Sequence, residues 1–134
     1  MEKYEILEHK ADLKIRAFGK DKQELFLNAL LGMIAGLRPE LKAESVKRKI
    51  IIKSIDLPLL LVDFLSEILY LIQINREVYN SVKFSKFTNT ELAGELFGQK
   101  VERFGEDIKA VTHHDLDIHQ RKDGGWEATI LFDI

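Results

Sequence analysis

The 134 residues contain no cysteine and only two prolines. The first absence excludes disulfides and thiolate metal sites, so a metal would need oxygen or imidazole donors, and it suits a reducing compartment. Glycine is also sparse, at 8 residues, and no repeat, linker or low-complexity stretch breaks the chain. Neither sign of charge dominates: 20 Lys and Arg face 22 Asp and Glu, for a net charge of −2. That balance argues against a dominant basic field for nonspecific nucleic-acid binding and leaves room only for a local basic face. Motifs for a serine or cysteine nucleophile, a phosphate-cradling glycine loop or a dinucleotide fingerprint are missing as well.

Long hydrophobic runs are scarce. The most apolar stretch, Leu57 to Ile74, has the length of a membrane span but is interrupted by Asp63, Ser66, Glu67 and Gln73. A charge at the centre of a lipid-exposed helix costs about 2.5–3.5 kcal/mol, so the stretch reads as a buried helix, with no membrane partner expected. Met1 is followed directly by Glu2 and Lys3, which leads to the expectation of no signal peptide and a cytoplasmic location.

What is present reads as one domain over residues 1–134, long enough to bury a core without covalent staples. Tyr4 and Ile6, then Leu13, Ile15 and Ala17, alternate with polar residues and predict two short strands, with His9 in their connection and Asp12 near the second strand's start. Asp21 with Glu24 forms a capping-box-like helix start, followed by Leu25, Phe26, Ala29, Leu30, Met33, Ile34 and Leu37 as a single apolar stripe. Arg38-Pro39 stops that helix and Ser45 to Ile55 reads as a strand. Asp56 caps a second helix, Pro58 fits its first turn, and the pattern fades at Asn75-Arg76. Val82, Phe84 and Phe87 suggest a strand, and Thr90 to Phe97 reads as its partner or as a helix. Gly98 to Asp107 reads as a polar connection, and Ile108 to Gln120 and Gly125 to Asp133 as a hairpin around Asp123-Gly124. The expected fold is α+β: a largely antiparallel sheet with two amphipathic helices packed on one face.

The end of the chain is the most informative stretch. Trp126, Ala128, Ile130 and Phe132 alternate with Glu127, Thr129, Leu131 and Asp133, which predicts a docked final strand. Asp133 and the α-carboxylate of Ile134 then place two anionic groups within one residue, and such a pair either repels itself or shares a cation. With Asp12 they are candidate ligands for a hard divalent ion; Ca²⁺ is the expected one, with Mg²⁺ and Mn²⁺ as alternatives. The opposing reading makes Asp12 a turn cap and Asp133 a solvated terminal residue. The histidines do not suggest a transition-metal site, because no pair has helical i, i+4 spacing around a Glu, and His113 and His114 would face opposite sides of a regular strand. His9 and one of that pair read as supporting groups, while His119 reads as exposed. Trp126 reads as packing rather than as a base-stacking platform. Lys47-Arg48-Lys49 is the best candidate for nucleic-acid contact, although such a run more often marks the exposed start of a strand.

His9-Lys10-Ala11-Asp12, Lys109-Ala110-Val111-Thr112-His113-His114, and Gly124-Gly125-Trp126 with Phe132-Asp133-Ile134 together resemble the archease family, in family order and over essentially the whole chain. Family members commonly carry Thr where this chain has Lys10 and Tyr where it has His113; neither change touches a carboxylate. The resemblance implies that Asp12 lies beside Asp133, and that His114 and Lys109 belong to the functional region. It also implies an accessory role: activation of a GTP-dependent RNA ligase of the RtcB type in tRNA splicing and RNA repair, by promoting guanylylation and multiple turnover. RNA would be met only through the ligase. Two other readings stay open at this point, a small metal-dependent phosphoesterase using Asp12, Asp133 and His114, and a metal-free assembly module.

Overall fold

The computed structural model describes residues 2–8 and 12–134 of the chain. Seven strands and two helices follow one another as β1 (Tyr4–Glu8), β2 (Asp12–Gly19), α1 (Lys22–Leu37), β3 (Pro39–Lys53), α2 (Leu57–Asn75), β4 (Glu77–Phe87), β5 (Glu91–Phe104), β6 (Ala110–Gln120) and β7 (Trp126–Asp133). The α+β class holds. The strands divide into two antiparallel sheets, one ordered β1-β2-β7-β6 and the other β3-β5-β4. The helices pack between them, α1 against β2 and β4, α2 against β6 and β3. Each sheet therefore has one face on the helices, and each helix is enclosed from two sides. This explains why α1 and α2 bury about half of their circumference rather than the narrower stripe that contact with one sheet demands.

Local chemistry sets the helix limits. The Asp21 carboxylate accepts from the Glu24 N–H at 2.8 Å, Glu24 accepts in turn from the Lys20 N–H at 2.9 Å, and Asp56 caps Leu59 at 2.9 Å. Both helices end on an arginine in the left-handed region, Arg38 at φ 46° and Arg76 at φ 53°. Each arginine also grips the same strand end: Arg38 donates to the Gly105 carbonyl, and Arg76 to the Glu102 carbonyl, both at 3.1 Å. The segment expected to be a polar connection is consequently strand as far as Phe104, since Gln99, Lys100 and Val101 complete hydrogen-bonded rows with β3 and β4. β3 likewise starts earlier than its apolar pattern indicates, at Pro39, opposite Phe104.

The core joins all layers. Phe26 of α1, Phe64 of α2, and Phe84 and Phe87 of β4 form a ring cluster with centroid separations of 4.9–6.1 Å. Leu13, Ile15, Ala17, Ile130 and Phe132 cover the other side of α1. α2 is long and apolar enough to cross a membrane, and here its Leu60, Leu61, Phe64, Leu65 and Ile68 are completely enclosed. β4 carries two bulges opposite β5, at Asn80 and Ser85. Gly98 makes the first possible, because a Cβ there would lie 1.7 Å from the Val78 carbonyl oxygen.

Candidate functional site

The first sheet brings the two ends of the chain together. Asp12 opens β2 and Asp133 closes β7, and the register pairs them directly, with Leu13 opposite Phe132 in the next row. Leu13 and Phe132 are buried against the helices. Strand alternation therefore turns Asp12 and Asp133 to the opposite, outer face, side by side. On β7's other flank Ala110 is paired with Asp133, and the Lys109 N–H donates to the Asp133 carbonyl at 2.7 Å. Ile134 packs its side chain on the core. This apolar anchoring fixes a strand end that would otherwise fray.

Asp12 and Ile134 border one cleft of about 330 Å³, together with Ile6, Leu13, Gly36, Arg38 and Glu106. Arg38 is held there by Glu106 at 3.4 Å. Two carboxylates directly opposed on neighbouring strands repel each other, and a cation between them removes that repulsion. Both side-chain donors are oxygens, as a hard divalent ion requires. Asp12 and Asp133 are the side chains that would hold such an ion. Among the described residues no group of three or more Asp, Glu, His or Cys side chains is gathered for a metal, at this pair or elsewhere.

The remaining expected residues are distributed around this pair. Lys109 joins it through its backbone, and no ion pair links its ammonium to Asp133; it borders a separate hollow of about 190 Å³ with Ser66, Tyr70 and Gln73 of α2. His114 stands in a bulge. Rows Thr112–Leu131 and Asp117–Thr129 leave residues 113–116 facing the single Ile130, with Asp115 at φ 56°. The Thr112 hydroxyl anchors the bulge, donating to the Leu131 carbonyl at 3.1 Å and accepting from the His114 N–H at 3.3 Å. Regular alternation is lost, so His113 and His114 are both exposed rather than on opposite faces. The bulge begins about 10 Å along the strand from the aspartates, three rows away. His9 lies outside the described residues. His119 is exposed as expected, with its Nδ1 2.6 Å from Asp117. Trp126 serves packing, with the Lys22 ammonium 5.2 Å from its ring centre.

One group escaped the sequence reading. Glu77 is wholly buried, with Arg48 at 2.5 Å, the Tyr79 hydroxyl donating at 2.8 Å and Lys100 at 3.2 Å. Burial alone would raise the Glu77 carboxyl; hydrogen bonds from Arg48, Tyr79 and Lys100 outweigh it and hold the group below its ordinary 4.5. Burial and the bond to Glu77 push the Tyr79 phenol well above its usual value. Arg48 therefore leaves the basic run that contains it, pointing inward while Lys47 and Lys49 point out. The signal was visible in β3, where Arg48 occupies the apolar phase of Val46, Ile50 and Ile52 and so demanded a buried anion.

The sequence pattern of the Archease protein family (MTH1598/TM1083) matches residues 4–134. The chain belongs to the archease family. Relatives named protein archease include that of Methanosarcina barkeri, 36% identical over 140 residues and covering 98% of this chain and 95% of the relative. The Pyrococcus furiosus protein archease is 33% identical over 142 residues, covering all of both chains. Among solved structures, the solution structure of Methanobacterium thermoautotrophicum protein 1598 superposes with a TM-score of 0.74 at 26% identity, over the whole of both chains. A Thermotoga maritima crystal structure described as an archease and possible chaperone shares the fold, with a TM-score of 0.72 at 20% identity over 96% of this chain and 94% of that one. This archease fold carries the opposed aspartates on the free end of its four-stranded sheet.

Proposed function

We propose that this archease is an accessory protein, not an enzyme, that activates a GTP-dependent RNA ligase of the RtcB type in the cytoplasm, promoting its guanylylation and repeated turnover in tRNA splicing and RNA repair. The observation that carries the reading is the direct pairing of Asp12 with Asp133 at the end of a rigid sheet. Asp12, Asp133 and the terminal carboxylate of Ile134 would hold a divalent ion, Ca²⁺ first and Mg²⁺ or Mn²⁺ otherwise. When bound, that ion supplies positive charge and open coordination positions for phosphate oxygens. The chain's own residues do the positioning: Leu13, Phe132 and Ile134 lock the strand ends, and the Lys109 N–H fixes the Asp133 carbonyl. Phosphoryl and nucleotidyl transfer depend on placement and charge, so a partner that presents anionic oxygens at the ligase centre can redistribute its ions without covalent chemistry. RNA is met through the ligase in this reaction.

The accessory reading is favoured over a phosphoesterase because His114 stands about three register rows from the aspartates and, among the described residues, no histidine adjoins them. The test is multiple-turnover RNA joining by the cognate ligase with substoichiometric archease. Wild type should stimulate and Asp12→Ala should not; equal stimulation by both would remove the carboxylate site from the function. A polypeptide extension beyond Ile134 should weaken stimulation more than one at the other terminus, and equal activity of the two would take the Ile134 carboxylate out of the ligand set.

A further inference from the structure

The outer face of the three-stranded sheet has a composition unlike the rest of the molecule. Its rows run Lys47–Phe97–Ser81, Lys49–Glu95–Lys83, Ile51–Ala93–Lys86 and Lys53–Glu91. The alternate residues Ile50, Ile52, Leu92 and Leu96 are buried on the helix side, which fixes these rows as outward. Five lysines thus share one face with two glutamates, on a chain whose net charge is −2. Glu91 engages Lys53 at 3.8 Å and also Lys86. Lys47, Lys49 and Lys83 form no ion pair among the described residues.

Phe97 stands amid these lysines. Of the 8 phenylalanines, it is the one neither buried nor packed against the core. From the next outward row of β5 a hollow of about 470 Å³ opens, bordered by Lys49, Ile51, Lys83, Ala93 and Glu95. Strand spacing puts Lys49 and Lys83 about 10 Å apart across β5, with Phe97 about 7 Å along the strand from the row joining them. An aromatic ring flanked by cations on an exposed sheet face meets both requirements of single-strand recognition, a stacking surface and charges that follow phosphates. The apolar area, one phenylalanine and one isoleucine, is too small to insert into a bilayer.

We propose that this face binds single-stranded RNA, with Lys47, Lys49 and Lys83 on the phosphates and Phe97 stacked on a base. It is a second surface, independent of the aspartate pair, and it gives the protein its own hold on RNA. The test is fluorescence anisotropy with a labelled single-stranded RNA of about ten nucleotides, titrated with salt. The triple variant Lys47→Ala/Lys49→Ala/Lys83→Ala should bind at least about tenfold more weakly at low salt, and the slope of log K against log salt should flatten by about 2. Phe97→Ala should weaken binding about fivefold or more with the salt slope unchanged, while Lys122→Ala, on the exposed final hairpin, should match wild type. All these positions are exposed or half-exposed, and a salt slope is not altered by a small loss of stability. Three results would overturn the proposal: equal affinity of wild type and the triple variant, including no binding by either; phosphatidylserine vesicles bound through these residues in place of RNA; or a wild-type dimer that Phe97→Ala dissociates with RNA affinity untouched.

Discussion

The two sheets treat carboxylates in opposite ways. In the three-stranded sheet Glu77 is entirely enclosed, and its charge is met by Arg48, Lys100 and the Tyr79 hydroxyl. In the four-stranded sheet Asp12 faces Asp133 across one hydrogen-bonded row, a like-charge contact on the rim of the fold. The first arrangement fixes which residues pair, since any slip of β3 or β4 would strand a charge in the interior. The second is held by its neighbours: Leu13 and Phe132 are pinned in the core one residue inward, and the aspartates have no choice of position. In one sheet the carboxylate is closed off among cations in the interior, and in the other apolar anchoring one residue inward sets two carboxylates side by side at the rim.

The contrast can be broken first at the anchor. Phe132→Ala removes a fully buried ring and should cost about 3–5 kcal/mol in urea denaturation, with loss of stimulation of the ligase beside it. Glu77→Ala should cost about 3 kcal/mol, toward the lower end for a broken buried pair because Arg48 and Lys100 stay partly wet. The pH dependence has a definite sign. Because the folded Glu77 carboxyl lies below 4.5, wild type should exceed Glu77→Gln by a constant margin above that pH. The margin should disappear as pH falls from 4.5 through the folded value, and a margin that persists in acid would show that Glu77 acts by shape rather than charge. At the rim, a divalent ion at 100 times its Kd should add about 2.7 kcal/mol to wild type and little to Asp133→Asn. Identical thermal melts with and without ion would leave the pair as mere crowding.

Much of this was legible in the sequence where the determinant is local. Asp21, Asp56 and the Asp123-Gly124 turn act within a few residues of themselves, and each stands where its chemistry indicates, Gly124 at φ 90° included. The opposed aspartates were implied by the archease resemblance; a docked final strand and a strand starting at Asp12 permit that register without requiring it. The division into two sheets was not readable, because alternation states that a face is buried and not which layer buries it. The strand from Gly98 to Phe104 was hidden by Gly98, Gln99 and Lys100, whose polarity reflects the β4 bulge and the Glu77 cluster instead of a loop. The 113–116 bulge left no mark beyond consecutive polar residues.

The bulges have a bearing on solubility. A sheet that ends in an even, unpaired strand invites the same strand of another molecule to continue it, and four strands here lie at edges: β1, β6, β3 and β4. Three of them break their own hydrogen-bond spacing, at residues 113–116, around Leu41, and at Asn80 and Ser85, so an incoming copy finds no continuous ladder. The fourth, β1, is even but only five residues long. An accessory protein of the proposed kind must keep its surfaces uncovered between encounters, and irregular edges hinder those surfaces from pairing with a second copy.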